Sequence, residues 1–371
     1  MEQFDTVIIG GGQAGLAVGY QLARRGRSFV ILDANDRIGD AWRKRWDSLR
    51  VFTPAKYNGL PGMRFPALSL SFPTKDEVAD YLAEYATRLE LPVRKGVMVD
   101  GLSREGTRFV VSAGPHRLGA DNVVVATGAC QIPKIPAFAS ELAADITQLH
   151  SSAYKSPSQL RDGGVLLVGA GNSGAEISYE VTRTHRTFLS GSSTGEIPFP
   201  HGAATAAFVL PLVRFMGTRV LTMDTPMGRK LAPRFIRHGA PLIRLKSKQL
   251  VGAGIDRVAR VVGTRDGMPL LADDRVLEVA NVIWCTGFRS DFGWIDLDAF
   301  DASGRPVQYR GVVASQPGLY FVGVEFLYSA TSDVLPGVGR DAAYIAKHIA
   351  ARAPAGADKE RRELLADQAS L

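Results

Sequence analysis

Short apolar runs recur along the chain, and two of them lead into a glycine-rich turn that is followed by apolar residues at helical spacing. The first begins with TVII and continues through GGGQAG (Gly10–Gly15) into LAVGYQLA. The second begins with GVLLV and continues through GAGNSG (Gly169–Gly174) into AEISYEV. A wholly apolar strand is typical of a parallel sheet that is covered on both faces. Each stretch therefore predicts a strand, a tight loop and a helix.

A further apolar run follows each predicted helix and completes a β-α-β unit. These two runs are SFVILDAN and RTFLSGSS. Later apolar runs predict more strands, and two of them end in similar turns at Thr127–Gly128 and Thr286–Gly287. Another helix is predicted after Thr74, which has the residue type of an N-cap and is followed by acidic residues. This alternation of strands and helices is typical of α/β proteins.

The order of the elements predicts an α/β fold with two Rossmann-like, doubly wound dinucleotide-binding domains, the second inserted into the first. The last apolar run, GLYFVG, has no partner strand unless it returns to the N-terminal sheet. We therefore assign residues 1–158 and 286–352 to the first domain and residues 159–285 to the second. Residues 199 to about 254 predict a helical insertion, and the charged residues 353–371 predict a mobile tail.

The first glycine loop has the pattern of a site for a nucleotide diphosphate. Gly10 permits the turn, Gly12 lets the backbone approach a pyrophosphate, and Gly15 lets the helix pack on the strand. The helix N-terminus supplies N–H donors and a partial positive charge. Asp33 ends the second strand and can accept a hydrogen bond from a ribose 2′-hydroxyl. The bound ribose is therefore expected to lack a 2′-phosphate, as in FAD or NAD.

The second loop lacks a carboxylate at the corresponding strand end. Ser190, Ser192 and Ser193 stand there instead and are able to bind a 2′-phosphate, and Arg183 and Arg186 lie close in sequence. This favours NADPH over NADH, although the arginine that often ends this strand in NADPH sites is absent. Two different loops suggest two nucleotides, and a hydride donor facing a flavin explains the pair economically.

Composition narrows the function classes. The formal net charge is +7, but the basic residues are scattered apart from Arg43–Arg45 and the stretch Arg229–Lys248, so we expect anionic cofactors and no nucleic-acid partner. Cys130 and Cys285 lie far apart and form no C-x-x-C motif, so a redox dithiol and a disulfide framework are not expected. The N-terminus shows no signal-peptide pattern, and no group of residues has metal-ligand spacing. We therefore expect a cytoplasmic protein without a metal site.

The chain resembles the class B flavin-containing monooxygenases, in particular their bacterial YUCCA-like and CzcO-like branch. The resemblance extends from Asp5 to about Ala350. In this family FAD occupies the first loop and NADPH the second, so the resemblance implies both cofactors here. The segments that carry it are GGGQAGLA, IGDAWRKRWDSLRVFTP, VVVATG, LHSSAYK, GAGNSGAE, VIWCTGF, and GLYFVG with GVGRDAA.

The resemblance and the loop chemistry together give a set of cofactor-binding residues. Gly39–Arg43 match the segment that wraps the flavin and place Trp42 near it, although a core tryptophan is an alternative. The two T-G turns match the crossings between the domains. The full set is Gly10, Gly12, Gln13, Ala14, Gly15, Asp33, Ala34, Gly39, Asp40, Ala41, Trp42, Arg43, Thr53, Val99, Thr127, Gly128, Gly169, Gly171, Asn172, Ser173, Gly174, Ser190, Ser192, Thr286 and Gly287.

The chain departs from the family pattern at two places. His150 and Tyr154 fit the end of a long family fingerprint, but its Phe and Gly positions hold Ala144 and Ile146. A hydrogen-bonded linker histidine is therefore an alternative role for His150. Where the animal-type enzymes carry an active-site Asn, this chain has Phe52 and Thr53, so the surroundings of bound oxygen are expected to differ.

The resemblance implies an NADPH-dependent FAD monooxygenase that forms a C4a-(hydro)peroxyflavin and transfers one oxygen atom from O2 to a small organic substrate, at nitrogen or sulfur or by a related oxidation. No residue is singled out as catalytic. The alternative is an NAD(P)H-dependent flavin reductase or oxidase of the same fold.

Residues 199–254 mix apolar and basic side chains, which fits a surface helical cap or contact with a membrane. We expect the cap and no membrane contact, and leave the substrate and oligomeric state open.

Overall fold

Two separate β-sheets form the framework of the chain, and the computed structural model describes residues 1–238 and 240–352. The strands are β1 (Glu2–Ile9), β2 (Phe29–Asp33), β3 (Val93–Lys95), β4 (Gly101–Glu105), β5 (Arg108–Ala113), β6 (His116–Val125), β7 (Ile132–Pro133), β8 (Thr147–His150), β9 (Val165–Val168), β10 (Thr187–Ser190), β11 (Asp256–Val258), β12 (Val261–Arg265), β13 (Met268–Leu271), β14 (Asn281–Trp284), β15 (Phe288–Arg289) and β16 (Leu319–Phe321). The α-helices are α1 (Gln13–Ala23), α2 (Asp40–Arg43), α3 (Lys75–Arg88), α4 (Asn172–Val181), α5 (Ala203–Phe208), α6 (Leu210–Phe215), α7 (Pro226–His238), α8 (Ser247–Gly252) and α9 (Leu335–Ala351).

The first sheet has the strand order β3-β2-β1-β6-β5-β4, and β16 pairs with the last residues of β6. Strands β1, β2, β3, β6 and β16 are parallel, whereas β4, β5 and β6 form an antiparallel meander. Val7 of β1 lies between Val30 of β2 and Val123 of β6. Because β16 joins this sheet after the chain has completed the second one, the second unit is inserted into the first. The predicted fold class is confirmed.

Alternate residues of the first sheet enter two different cores, as the pleat of a strand requires. Ile8 packs on one face with residues of α1 and α9, such as Leu16 and Ile345. Val7 packs on the other face with Phe109 and other residues of the meander. Burial of each such side chain contributes about 1.5–3 kcal/mol to folding. Strong burial on both faces explains why the last three residues of β1, Val7–Ile9, are all apolar.

The second sheet has the strand order β11-β10-β9-β14-β8, and all of its pairs are parallel. Every residue of β9, β10 and β14 is buried. Strand β8 lies at an edge of this sheet, paired with β14. The predicted domain boundary at residue 158 therefore falls after a strand that belongs to the second sheet. The sequence did not indicate this strand, because β8 has few apolar residues.

The chain crosses between the sheets twice, and the two crossings lie side by side. Strand β7 follows the first crossing and pairs antiparallel with β15, which follows the second. The backbone N–H of Lys134 donates to the carbonyl of Gly287 at 2.9 Å, and the Thr286 hydroxyl donates to the carbonyl of Lys134. This narrow ribbon joins the two halves of the molecule.

The predicted insertion is helical, as α5 to α8 show, and it contacts both halves. The backbone N–H of Met223 donates to the Tyr328 carbonyl at 2.7 Å, which fastens the insertion to the first half. The predicted helix after Thr74 is also confirmed as α3, with reciprocal capping bonds between Thr74 and Glu77. Among the described residues, no helix has the length and apolar character needed to cross a membrane. The predicted mobile tail, 353–371, lies outside the described residues.

Candidate functional site

Both glycine loops open on one cavity of about 1070 Å³ between the two sheets. Its walls include the carboxyl ends of β2 and β10 and the two crossings. Ligands of parallel α/β sheets bind at such strand ends. The predicted residues that line the cavity are Gly10, Gly12, Gln13, Ala14, Asp33, Gly39, Ala41, Trp42, Thr127, Gly128, Gly169, Gly171, Asn172, Ser173, Ser190, Ser192, Thr286 and Gly287.

Three positions of the first loop, Gly10, Gly12 and Gly15, are glycine for three different physical reasons. Gly10 has a φ of +111°, and a Cβ there would lie 2.5 Å from the carbonyl oxygen of Ala126. A Cβ at Gly15 would overlap the carbonyl oxygen of Gly10, so Gly15 serves the packing of α1 and lies behind the cavity wall. Gly12 has ordinary extended backbone angles, and a Cβ there would meet no protein atom within 4 Å. Gly12 therefore leaves open space where a ligand can approach.

The second loop repeats this arrangement. Gly169 has a φ of +114°, and a Cβ there would overlap the carbonyl oxygen of Cys285. A Cβ at Gly174 would overlap the carbonyl oxygen of Gly169, so Gly174 also serves packing rather than the cavity wall. Gly171 faces open space. Neither Gly12 nor Gly171 caps its helix with a side chain, so the N-termini of α1 and α4 keep N–H donors for an anion.

Asp33 is buried at the end of β2, with its carboxylate fixed by three donors. The backbone N–H of Gly11 donates to Oδ2 at 2.6 Å. Asn35 donates to Oδ1 from its backbone at 2.7 Å and from its side chain at 2.9 Å. Each carboxylate oxygen has two lone pairs. Asp33 is thus held rigidly at the cavity wall and retains capacity to accept from a ribose hydroxyl.

The structure corrects the prediction for Ser190. Its hydroxyl donates to the carbonyl of Ala259 at 2.9 Å and accepts from the backbone N–H of Val261 at 3.0 Å. The side chain is buried and satisfied by protein, so it tethers β10 to the chain that follows β11. Ser192 is exposed and remains available to a ligand at the cavity rim.

Arg260 is a cavity residue that sequence reasoning missed. It lies two residues beyond β11, whose Val258 pairs with Ser190 of β10. The bond from Ser190 to Ala259 holds the residue before Arg260 against β10, and the exposed Arg260 lines the same cavity as Ser192. A guanidinium near the end of the second strand of a β-α-β unit, here β10, is the group expected to bind a 2′-phosphate. Only the pairing of β11 with β10 could have revealed it, because Arg260 is distant from Ser192 in sequence.

Asp40 and Arg43 do not reach the cavity wall. Arg43 pairs with Asp40 at 3.2 Å and with Asp80 of α3 at 2.7 Å, and it donates to the carbonyl of Ile38 at 2.8 Å. Burial acts to raise the pKa of Asp40, but the hydrogen bonds and charges of Arg43 and Arg37 together lower it. These two residues therefore hold the turn around Gly39 against α3, while Ala41 and Trp42 of the same turn line the cavity.

Three further predicted residues lie away from the cavity wall. The Thr53 hydroxyl donates to the side chain of Asn58 at 2.5 Å, and its carbonyl accepts from Asn58 at 2.9 Å, so Thr53 stabilises its own loop. Ala34 is exposed, and its neighbour Asn35 lines the cavity in its place. Val99 packs against the core on the meander side of the first sheet.

Asn172 has a role that the loop pattern did not show. Its side-chain amide donates to the carbonyl of Pro241 at 3.0 Å and accepts from the backbone N–H of Ile243 at 2.9 Å. One turn later, Glu176 pairs with Arg244 at 2.8 Å. Burial raises the pKa of Glu176 to about 7, and Arg244 acts against that shift. The start of α4 is therefore joined by hydrogen bonds and a salt bridge to the end of the helical insertion, beside the second loop.

Two buried polar atoms at the cavity lack a protein partner within the described residues. They are Oε1 of Gln13 and Nε1 of Trp46, and both side chains line the cavity. Gln13 is held through its Nε2, which donates to the carbonyl of Asp333 at 2.8 Å. A buried polar group without a partner costs about 1–3 kcal/mol. These two atoms, with the open space at Gly12 and Gly171, fit a polar ligand that completes the site.

Two acidic side chains that the sequence did not single out also line the cavity, Glu325 and Asp333. Burial, and secondarily the charge of Asp333, raises the pKa of Glu325 to about 7. Burial raises the pKa of Asp333 as well. The positive charges of Arg305 and Lys134 act in the opposite direction on Glu325. The wall on this side of the cavity thus carries two carboxyl groups whose pKa values are raised mainly by burial, that of Glu325 to about 7.

His150 acts as a linker at the second crossing. Its Nε2 lies 3.1 Å from the carbonyl oxygen of Gly287, and its ring packs edge-on against Phe288. Burial lowers the pKa of His150, which favours the neutral ring. Tyr154 is fully buried and donates to Glu180 of α4 at 3.1 Å. The pair connects the crossing to the second sheet without lining the cavity.

Comparisons with known proteins agree with this geometry. A family model described as pyridine nucleotide-disulphide oxidoreductase matches residues 7–191. An uncharacterized CzcO-like oxidoreductase of Geobacillus kaustophilus is 37% identical over 348 residues, which cover 93% of this chain and 98% of that protein. The probable indole-3-pyruvate monooxygenase YUCCA3 of Arabidopsis thaliana is 28% identical over 386 residues, covering 93% of this chain and 86% of that protein.

A solved structure is similar over the same extent. The flavin-containing monooxygenase from Stenotrophomonas maltophilia matches with a TM-score of 0.75 and 30% identity, covering 95% of this chain and 99% of that chain. These likenesses extend over both sheets and the insertion, and they confirm the resemblance drawn from the sequence motifs. The chain therefore belongs to the flavin monooxygenase family of oxidoreductases, together with the CzcO-like proteins.

Proposed function

We propose that the protein is an NADPH-dependent FAD monooxygenase that transfers one oxygen atom from O2 to a small organic substrate, at a nitrogen or sulfur atom or by a related oxidation. The observation that carries this proposal is the single cavity shared by two nucleotide loops. A flavin and a hydride donor must meet at one place, and two loops that open on one space allow that meeting. The relatives named as monooxygenases support the reaction type.

The two strand ends support a different nucleotide for each loop. Asp33 offers a carboxylate beside Gly12, which suits the unphosphorylated ribose of FAD. Ser192 and Arg260 offer a hydroxyl and a guanidinium at the cavity that Gly171 also lines, which suits the 2′-phosphate of NADPH. On this proposal the first sheet, with residues 1–158 other than β8 and with residues 286–352, forms the FAD unit. Residues 159–285, together with β8, form the NADPH unit.

The protein's own contribution is binding, orientation and exclusion of water. Bound FAD and NADPH supply the redox chemistry, including the activation of oxygen. Trp46, Leu49 and Phe288 line the cavity with apolar surface that excludes water, and Arg45 lies over the Phe288 ring at 5.5 Å. Trp46 Nε1 and Gln13 Oε1, which have no partner within the described protein, would hydrogen-bond to polar groups of the bound ligand and so orient it. Exclusion of water suppresses wasteful release of peroxide.

Labelled oxygen tests the reaction type. The purified protein is incubated with NADPH, ¹⁸O2 and, in separate reactions, methyl phenyl sulfide, N,N-dimethylaniline and indole-3-pyruvate. We expect NADPH consumption that rises with at least one of these probes and mass spectra that show one ¹⁸O atom in its product. A parallel reaction in H2¹⁸O with ordinary O2 identifies label that comes from water. Hydrogen peroxide equal to the NADPH consumed, with no label in any product, would instead establish the flavin oxidase or reductase alternative.

The choice between NADPH and NADH is expected to depend on Arg260. In Arg260→Ala the KM for NADPH should rise about 10- to 100-fold, the value of one charge-assisted hydrogen bond, while the KM for NADH stays the same. Steady-state NADPH and NADH oxidation measures both constants.

Arg183→Ala is the matched control for Arg260, because Arg183 is an exposed arginine of the same unit that lies over Tyr179. Its kinetics should match the wild type. Equal effects of Arg260→Ala on both nucleotides would assign Arg260 a structural role and remove the 2′-phosphate proposal.

A further inference from the structure

The helical insertion carries apolar side chains that face solvent. Phe208, Leu212 and Phe215 expose 84%, 63% and 56% of their surface. Val209, between α5 and α6, keeps right-handed helical angles, so these residues follow one another at the spacing of a single helix face. Large apolar side chains that are exposed together mark an interaction surface, whereas a single exposed apolar residue does not. We call the exposed side of residues 208–219 the insertion face.

Basic side chains accompany the insertion face. Arg214 and Arg219 are exposed within it, and Arg214 lies over the ring of Tyr57 at 5.4 Å. Lys56 lies over the same ring at 4.8 Å. The next helix, α7, adds further exposed cations, Arg229, Lys230 and Arg234. The surface is therefore apolar and cationic together.

The one acidic residue between positions 199 and 235 is already engaged. Asp224 accepts hydrogen bonds from the hydroxyls of Tyr309 at 2.6 Å and Tyr328 at 2.8 Å, one at each carboxylate oxygen. These bonds lower the pKa of Asp224. The carboxylate anchors the insertion to the first half of the molecule and stays negatively charged, with Arg310 and Arg229 as its charge partners, so one acidic residue stands against five exposed cations, Arg214, Arg219, Arg229, Lys230 and Arg234.

The charge distinguishes between two ways of covering this face. A second copy of the chain in a two-fold dimer would place the same patch against itself and bring cations against cations. A bilayer that contains anionic phospholipid offers apolar depth for the phenylalanine and leucine side chains and negative charge for the arginines. We propose that the insertion face docks the protein on the surface of an anionic phospholipid membrane. This mode needs no spanning helix, so it revises the expectation drawn from the sequence that the protein makes no membrane contact.

The helical insertion that would dock on the membrane also borders the cavity. Ile236 of α7 and Ala240 line the cavity, so the insertion that carries the face also forms part of the cavity wall. The N-terminal residues of the insertion are held by His201, whose Nε2 lies 2.9 Å from the carbonyl oxygen of Phe52. A membrane bound at the insertion face would therefore contact a segment that also contributes to the cavity wall, and the proposal holds whatever substrate the cavity accepts.

Vesicle co-sedimentation of the full chain tests the proposal. We expect binding to vesicles of phosphatidylcholine mixed with phosphatidylglycerol, weaker binding when salt is raised, and little binding to pure phosphatidylcholine. The triple variant Phe208→Ser, Leu212→Ser, Phe215→Ser should reduce the partition coefficient more than about ten-fold. The control is Leu68→Ser, because Leu68 is 83% exposed outside the insertion and its loss should leave binding unchanged.

A charge-reversal pair keeps the test valid if the triple variant does not fold. Arg214→Glu with Arg219→Glu should abolish binding to the anionic vesicles, whereas Arg88→Glu, at an arginine 67% exposed on α3, should leave it unchanged. Absence of wild-type binding to anionic vesicles would overturn the proposal. So would unchanged binding by both insertion variants. A change from dimer to monomer in the triple variant, with no vesicle binding by the wild type, would show that a second copy covers the face.

Discussion

Gly12→Val is expected to give a folded protein that carries no FAD. Gly12 has extended backbone angles that valine adopts readily, and no protein atom lies within 4 Å of the position where a Cβ would stand. The added side chain therefore occupies only the space in which a pyrophosphate meets the α1 N-terminus. Flavin absorbance relative to protein absorbance should fall more than about ten-fold, because the phosphate loses its closest backbone contact.

Gly15→Ala provides the contrast for this prediction. A Cβ at Gly15 would overlap the carbonyl oxygen of Gly10, so this smaller change should unfold or strongly destabilise the protein. Thermal unfolding followed by circular dichroism separates the two outcomes. A Gly12→Val protein that retains a full complement of FAD would show that the first loop does not hold the flavin pyrophosphate.

Gly171→Val is expected to keep FAD and lose its reduction by NADPH. Gly171 has the same extended backbone and the same open surroundings as Gly12, but it belongs to the second loop. The rate of flavin bleaching by NADPH, measured by anaerobic stopped flow, should fall about 100-fold because the nicotinamide no longer reaches its position.

Dithionite supplies the control for the second prediction, because it reduces bound flavin without using the second loop. Wild type and Gly171→Val should bleach equally with dithionite. Loss of FAD from Gly171→Val, or an unchanged rate with NADPH, would contradict the assignment of one nucleotide to each loop. Together the two valine variants test the assignment independently of any substrate.

Local sequence patterns predicted the parts of the site that local backbone geometry determines. The turn at Gly10, the open position at Gly12 and the carboxylate of Asp33 all lie within one β-α-β unit, so their relation follows from standard strand and helix geometry. The same holds for the second loop. The fold class followed because the buried parts of β1, β2 and β9 are largely apolar and a glycine loop and helix follow β1 and β9.

Contacts between distant parts of the chain were not readable from the sequence. The roles of Ser190 and Arg260 depend on the pairing of β10 with β11, which the long helical insertion separates. Asn172 fits a loop pattern, but its side chain is used by residues 240–243 that no motif connects to it. Glu325 gave no signal, because an acidic residue in a loop is ordinarily a solvated one.

The near-identical backbones of the two loops have an evolutionary consequence. Gly10 and Gly169 share the same left-handed turn, with φ of +111° and +114°, and each lies against a carbonyl oxygen of its own crossing. If each loop binds one nucleotide as proposed, this shared backbone does not distinguish the two nucleotides, and we expect selectivity to depend on a few side chains at the ends of β2 and β10. A change of coenzyme preference can therefore evolve, or be engineered, by substitution at those strand ends while the glycine framework stays as it is.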